Sequence, residues 1–141
     1  MKYRAMLRAA YTQSEQTLVM SCSEELNLQS RADITACVDD MVEVMLEVTK
    51  GRPIYLVIDY ANFKFNLAEN DFLRVETERM VRMANIVTIV RFGADSLMRA
   101  AARTRSMKMH APSHLYSTLE EARDVIRQLR EGKLTIGRST G

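Results

Sequence analysis

The chain has 141 residues, 47% of them hydrophobic and 27% charged, which is enough for one globular domain with its own core. Its 20 basic and 18 acidic residues leave a net charge of only +2, so charge gives no reason to expect nucleic acid as a partner. The two cysteines, Cys22 and Cys37, have no short spacing. They are too few for a disulfide framework or a zinc knuckle, and we expect both to be reduced and partly buried.

The N-terminal segment carries basic residues but lacks the unbroken apolar stretch of a signal peptide. No apolar run approaches the roughly 20 residues that span a bilayer. We therefore expect a cytoplasmic protein without a transmembrane segment.

The first third of the chain predicts a β-hairpin followed by an amphipathic helix. The two strands, Tyr3–Tyr11 and Thr17–Cys22, are joined by a short polar connection, which favours antiparallel pairing. The helix is predicted over Ala32–Thr49, with Lys50 and Gly51 as its C-terminal signal. Its apolar stripe has helical spacing and consists of Ile34, Cys37, Val38, Met41, Val42, Met45 and Val48. Its solvent face is predicted to be acidic, with Asp33, Asp39, Asp40, Glu43 and Glu47.

The middle of the chain predicts a buried strand and a second helix. Pro53 breaks the chain, and Ile54–Asp59 then reads as a strand buried on both faces, with Asp59 at its C-terminal end. After a loop over residues 60–65, Asn66 and Glu69 have the spacing of a capping box for a helix over Leu67–Met83. The candidates for the buried face of that helix are Phe72, Val75, Met80 and Met83.

The last third predicts two more strands and two more helices. A strand over Ile86–Val90 is ended by Gly93, and Asp95 is expected to cap a helix over Ser96–Arg105. A short strand over His114–Tyr116 precedes a helix that is capped by Ser117 or Thr118, runs to Arg130 and buries Leu119, Ala122, Val125, Ile126 and Leu129. The third helix is basic, with Arg99, Arg103 and Arg105, followed by Lys108. These basic residues are expected to be solvated, and contact with phosphate or acidic lipid is the alternative.

Strands that alternate with helices imply crossover connections. The predicted fold is therefore α/β, with a mixed, largely parallel sheet of four to five strands, an N-terminal β-hairpin and about four helices. We expect one domain over residues 1–131. The polar residues 132–141 are expected to form a flexible tail.

Three stretches together resemble the STAS domain, the family that includes the bacterial anti-sigma-factor antagonists and small stand-alone STAS/SEC14-like proteins. They are Leu56–Asp59, Ile86–Gly93 and Leu115–Ala122, and the resemblance extends over roughly residues 3–130. It implies a STAS-like fold and a non-enzymatic regulatory role through binding of a protein partner.

The chain departs from that family at its phosphorylation motif. Classical antagonists carry an Asp-Ser-(Ser/Thr/Ala)-Gly motif at the start of the second helix, where the serine is phosphorylated. The matching stretch here, Phe63–Glu69, has no serine, threonine or glycine. The phosphorylation switch is therefore not expected, whereas a partner surface around this loop and helix start is still implied.

Topology points to the same place independently, because ligands of open α/β sheets bind beyond the carboxyl ends of the strands and helix N-termini there offer free N–H groups. Two groups of polar residues follow the two central strands. The candidate partner- or ligand-binding residues are Asp59, Tyr60, Asn62, Lys64, Asn66, Arg91 and Asp95. The alternative is a plain connection whose polar residues cap turns and helices.

No signature of catalysis stands out in the sequence. Gly-rich phosphate loops, His-Glu-x-x-His, Cys-x-x-Cys and Gly-x-Ser-x-Gly are all missing. His110 and His114 are separated by Pro112, which argues against a helical metal site. We therefore expect no metal, no cofactor and no enzymatic activity, with an enzyme acting near Asp59 and Asn66 as a remaining alternative.

Two further features leave alternatives open. Ten methionines are many for this length, and they either fill gaps in the core or line a mobile pocket for a small apolar or lipid-like ligand. The acidic first helix and the basic third helix would also suit self-association or a charged partner.

Overall fold

The computed structural model describes residues 2–132, in which five strands form one sheet in the order of the chain. The strands are β1 (Leu7–Thr12), β2 (Thr17–Cys22), β3 (Ile54–Asp59), β4 (Ile86–Phe92) and β5 (Leu115–Tyr116). The helices are α1 (Arg31–Thr49), α2 (Asn70–Met83), α3 (Ser96–Lys108) and α4 (Leu119–Arg130). Strands β1 and β2 pair antiparallel, and the other neighbours pair parallel. The predicted α/β fold with its N-terminal hairpin is confirmed. The tail expected after residue 132 lies outside the described residues.

The helices cover the two faces of the sheet unequally. Helices α1, α2 and α3 pack on one face and share the larger hydrophobic core with β2, β3 and β4. Among the described helices, only α4 packs on the other face, over β3 and β4. Strand β3 is buried along almost its whole length, as expected for a strand covered on both faces. The parallel connections bring the ends of β2, β3 and β4 and the starts of α2 and α3 to one edge of the sheet, called here the carboxyl edge.

Capping residues close to each helix end determine where α1 and α4 begin and where α1 stops. Ser30 and Asp33 form a capping box at the start of α1, and Thr118 accepts a hydrogen bond from the N–H of Glu121 at the start of α4. Lys50 and Gly51 both take left-handed backbone angles after α1, which stops the helix there. The described range contains no helix with the length and apolar character that a membrane span requires.

The N-terminal strand is shorter than predicted. Residues Arg4–Met6 form a 3₁₀ turn, and β1 begins only at Leu7. Tyr3 is buried, and its backbone N–H donates to the carboxylate of Asp40 over 2.9 Å. This contact holds the segment against α1 instead of in the sheet. It also buries Asp40, which the sequence pattern placed on the solvent face.

The start of the second helix also differs from its prediction. Residues Leu67–Glu69 form a 3₁₀ turn, and α2 begins at Asn70. The side chain of Asn66 accepts from the N–H of Ala68 over 3.1 Å, so its capping role is confirmed. Glu69 does not close a capping box, because its carboxylate pairs with Arg31 at 2.6 Å. The ion pair instead ties the start of α2 to the start of α1.

Several core predictions are corrected by the packing of the helices. Val48, Val75 and Met83 are exposed, at 39%, 45% and 51% of their surface, and Phe72 is only half-buried. Helix α2 lies between α1 and α3. Met80 is buried as predicted, but the other inward residues of α2 are Leu73, Glu76 and Thr77. On α4 the predicted buried residues are confirmed apart from Leu119, which is half-buried.

Candidate functional site

The loop that follows β3 is fastened to the loop that follows β2. The amide of Asn62 donates to the carbonyl of Cys22 over 3.2 Å. The ammonium of Lys64 donates to the carbonyl of Glu24 over 2.5 Å, and the amide of Asn66 donates to the carbonyl of Gln29 over 3.2 Å. Backbone hydrogen bonds between residues 28 and 64–66 complete the connection. The carboxyl edge is therefore a fixed surface built from two loops.

The two predicted aspartates at this edge act on the backbone. Asp59 accepts from the N–H of Ala61 over 2.9 Å, and Asp95 caps α3 by accepting from the N–H of Met98 over 2.8 Å. Gly93 has φ +78°, and a Cβ atom there would lie 3.1 Å from Oδ1 of Asp59. The close approach of the chain at Gly93 therefore depends on glycine. Whether these edge residues also bind a partner stays a prediction.

Tyr60 and Arg91, the other two predicted site residues, meet in the interior. The Tyr60 hydroxyl accepts from Nε of Arg91 over 3.2 Å and from Nη2 of Arg105 over 2.8 Å. Arg105 also donates to the Asn70 side chain over 2.6 Å, and its guanidinium lies 5.7 Å from the ring centre of Phe65. We call Tyr60, Asn70, Arg91 and Arg105 the arginine–tyrosine cluster. It joins β3, α2, β4 and α3 beneath the carboxyl edge.

The cluster holds two buried cations without an acidic partner. Arg91 is 3% exposed and Arg105 is 1% exposed. Their side-chain hydrogen bonds all end on uncharged acceptors, namely the Tyr60 hydroxyl, the Asn70 amide and the carbonyl of Ser113. No carboxylate of the described residues forms an ion pair with either. Buried charges are normally paired, because removing an ion from water costs several kcal/mol.

The charges of the cluster act on the tyrosine. Burial by itself raises the pKa of the Tyr60 phenol, but the positive charges of Arg105 and Arg91 outweigh burial, and the net pKa lies below the ordinary value of 10. Burial lowers the pKa of Arg105. The phenol oxygen is thus the group on which negative charge is best stabilised within the cluster.

Two cavities border the cluster. The first lies beneath Tyr60 between β3, α1 and α2, and measures about 20 Å³, which is room for a single water molecule. Met41 and Met80 are among its lining residues, so a lipid-like ligand would require this part of the core to open. The second, of about 120 Å³, lies between α2, β4 and α3, with Arg91 and Ser106 in its wall.

Arg105 escaped the sequence analysis because it was assigned to the solvated basic face of the third helix, and Asn70 was not singled out there. Arg105 lies on the inward stripe of α3 together with Met98 and Ala102, and that helical spacing was the available signal. The basic face of α3 is accordingly reduced to Arg99, Arg103 and Lys108. Arg99 is half-buried, and the other two are exposed.

The two histidines differ in their surroundings. His110 is exposed, whereas His114 is buried and its Nδ1 lies 3.2 Å from the Tyr116 hydroxyl. Burial lowers the pKa of His114, and the nearby charge of Arg91 acts in the same direction. Within residues 2–132, no three His, Cys, Asp or Glu side chains come together as a possible metal site.

The two cysteines, Cys22 and Cys37, are both buried and form no disulfide. Burial raises the pKa of the Cys22 thiol to about 11 and that of the Cys37 thiol to about 12.

Comparison of the chain with protein-family models, curated proteins and solved structures finds no match. The structure itself is therefore the basis for a functional hypothesis. It provides a fixed surface at the carboxyl edge and, beneath it, a buried pair of arginines next to a cavity.

Proposed function

We propose that this chain is a cytoplasmic, non-enzymatic regulatory module of the STAS-like type, and that it binds a protein partner at the carboxyl edge. The observation that carries the proposal is the exposure of two leucines at this edge, on a frame held by hydrogen bonds. Leu97, in the first turn of α3, is 67% exposed, and Leu67, just before α2, is 42% exposed.

The surroundings of these leucines suit a protein interface. Ala61, Asn62, Lys64 and Asp95 are exposed there, so apolar side chains are surrounded by polar groups of both charges. Interfaces between proteins combine an apolar centre with a polar rim in this way. The hydrogen bonds from Asn62, Lys64 and Asn66 to the neighbouring loop fix the surface before a partner arrives, which lowers the entropic cost of binding.

We propose binding instead of catalysis because the edge residues that could transfer protons are already hydrogen-bonded to the backbone. Asp59 and Asp95 accept hydrogen bonds from backbone N–H groups, and Lys64 donates to a carbonyl. Since residues 63–69 contain no serine or threonine, regulation in this proposal depends on binding itself and not on phosphorylation at this loop.

The proposal is tested by affinity capture from the native host followed by measurement with purified components. The purified partner is titrated against the full chain and against Leu67→Glu and Leu97→Glu by calorimetry. We expect each glutamate to weaken binding by about tenfold or more, because a charge would be buried in an apolar contact. Met107→Glu is the matched control, because Met107 is 75% exposed near the opposite end of α3.

Two results would contradict the proposal. One is a purified partner whose affinity falls with Met107→Glu but not with the two edge variants. The other is a confirmed turnover activity that is lost with Asp59→Asn and Asn66→Ala, which would favour an enzyme acting at the same edge. Circular dichroism of each variant checks that the fold is retained.

A further inference from the structure

The second cavity has the composition of a small ligand site. Its wall is largely apolar, and three polar residues interrupt it: Thr88, Arg91 and Ser106. The apolar residues of the wall are Val81, Val87, Ile89, Met109, Ala111 and Pro112. Ligand pockets in proteins typically combine such an apolar wall with a few polar groups that orient the ligand.

A buried hydroxyl in this wall has no partner. Ser106 is 2% exposed, and its Oγ makes no hydrogen bond within the described residues. A buried polar atom without a partner destabilises the fold, so it is rare unless a ligand or water completes it. Because Ser106 lines the cavity, a group placed there can supply the missing bond.

The charge of Arg91 points to an anion. Nε of Arg91 donates to the Tyr60 hydroxyl, and its Nη1 donates to the carbonyl of Ser113. Nη2 is left without a protein partner in the described part of the chain. Arg105 adds a second buried cation to the cluster, and its Nε is also without a partner. A carboxylate at the cavity would accept a charge-assisted hydrogen bond from Nη2 of Arg91.

The neighbouring edge of the sheet is open along the same wall. Strand β5 pairs only with Arg91 and Phe92 of β4, so residues 87–89 have no second strand beside them in the described structure. Met109 and Pro112, which follow α3, line the cavity together with residues 87–89. Val81, Thr88 and Met109 are only half-buried, which gives a small molecule a route from solvent.

We propose that the cavity between α2, β4 and α3 binds a small monocarboxylate with a short apolar tail. The carboxylate is held by Arg91 and Ser106, and the tail lies against Val81, Val87 and Ile89. The volume of about 120 Å³ sets the size, since an apolar cavity of about 150 Å³ accepts benzene. A carboxylic acid of four or five carbons fits this limit, and a lipid chain does not. The site is separate from the partner surface of the proposed function, so either proposal can fail alone.

The test is a titration of the full chain, labelled with ¹⁵N, with sodium butyrate followed by NMR. We expect saturable shifts of the amides around Arg91 and Ser106, with a dissociation constant on the order of 1 mM, as is usual for a ligand of so few atoms. The uncharged n-butanol carries the same tail and should bind at least about tenfold more weakly, because it lacks the charge-assisted hydrogen bonds. Inorganic phosphate is the second probe and should not saturate the site.

Three variants locate the site without removing an arginine from the core. Ser106→Ala should weaken butyrate binding by about tenfold through the loss of one hydrogen bond to a charged group. Ala111→Leu should abolish binding by filling the cavity. Thr104→Ala is the matched control on the exposed side of α3 and should leave binding unchanged.

Several outcomes would overturn the inference. They are the absence of saturable shifts with butyrate in a protein whose spectrum shows it to be folded, equal affinity for n-butanol, and tighter binding of phosphate. Unchanged butyrate binding in Ala111→Leu would show that the ligand lies elsewhere.

Discussion

The two faces of the sheet differ in the kinds of residue that they bury. The hydrophobic core under α4 consists of Tyr55, Val57, Val90, Ala122, Val125, Ile126 and Leu129. The face under α1, α2 and α3 has the larger apolar core, but it also buries Asp40, Glu76, Arg91 and Arg105. Since the face under α4 closes without a fully buried carboxylate or guanidinium among the described residues, buried charge is not needed to close a layer on this sheet. The charges on the other face are therefore the place to look for function.

The largest expected effect is on the apolar face. Ile126 is 2% exposed and packs in the core under α4, and Ile126→Ala removes buried methyl groups and leaves a cavity. We expect the free energy of unfolding to fall by about 3 kcal/mol, measured by urea denaturation. A loss below about 1 kcal/mol would mean that α4 contributes little to the stability of this face.

The arginine–tyrosine cluster offers a sharper contrast between the faces. Tyr60→Phe removes the acceptor that Arg91 and Arg105 share, so two buried guanidinium donors lose a partner. We expect a loss of about 2 kcal/mol in the free energy of unfolding. Tyr55→Phe is the control on the α4 face, because Tyr55 is also buried and its hydroxyl makes no hydrogen bond in the described structure. The free energy of unfolding of Tyr55→Phe should stay within about 0.5 kcal/mol of the wild type. If both variants lose the same free energy, the hydrogen bonds of the cluster do not contribute more than an ordinary buried tyrosine.

The carboxyl edge can be tested through its glycine. Gly93 and Gly51 both have positive φ angles, of 78° and 76°, but only at Gly93 would a Cβ atom meet a neighbour, Oδ1 of Asp59 at 3.1 Å. Gly51→Ala should therefore lower the free energy of unfolding by about 1 kcal/mol through backbone strain alone. Gly93→Ala should cost about 1 kcal/mol more, because Asp59 must shift away from the N–H of Ala61. The free energies of unfolding of the two variants are measured by thermal and urea denaturation. If Gly93→Ala and Gly51→Ala lose the same free energy, Asp59 moves aside at no cost.

The smallest effect is the pH dependence of the cluster. Because the pKa of Tyr60 is lower in the folded protein than in the unfolded chain, the folded state releases this proton at lower pH. Its contribution to stability is present above the unfolded value of 10 and is lost as the pH falls through the folded pKa. The difference in stability between the wild type and Tyr60→Phe should therefore grow as the pH is raised towards 10. The comparison cancels Cys22 and Cys37, whose raised pKa values act in the opposite direction.

The measurement is urea denaturation of both proteins over a pH series, together with the ultraviolet absorbance of tyrosinate in the folded state. A difference that stays constant with pH would show that Tyr60 keeps its proton until the protein unfolds. The tyrosine would then act as a neutral hydrogen-bond acceptor and not as a counter-ion.

The sequence was sufficient for the elements whose signals are local. The apolar run Ile54–Asp59, the stripe of α1 and the caps at Asp95 and Thr118 all depend on residues within a turn or two of each other. Positions that depend on another element were less predictable. Val75 and Met83 were assigned to the core from their own helix, but the placement of α2 between α1 and α3 buries Leu73 and Thr77 instead. The candidate site divides in the same way. Three of its seven residues, Asp59, Asn66 and Asp95, accept from backbone N–H groups two or three positions away. Asn62 and Lys64 bond instead to the distant loop after β2, and the remaining two residues reach the cluster.

By itself, the sequence determined which segments form strands and helices and where several helices are capped, because hydrophobic periodicity and capping act over a few residues. Only the tertiary structure decided which charged side chains enter the interior. Arg105 meets Tyr60 across 45 positions of the chain, and Asp40 meets the N–H of Tyr3 across 37. A charged residue is buried only where folding supplies hydrogen-bond partners for it, and those partners come from elements that are distant in sequence.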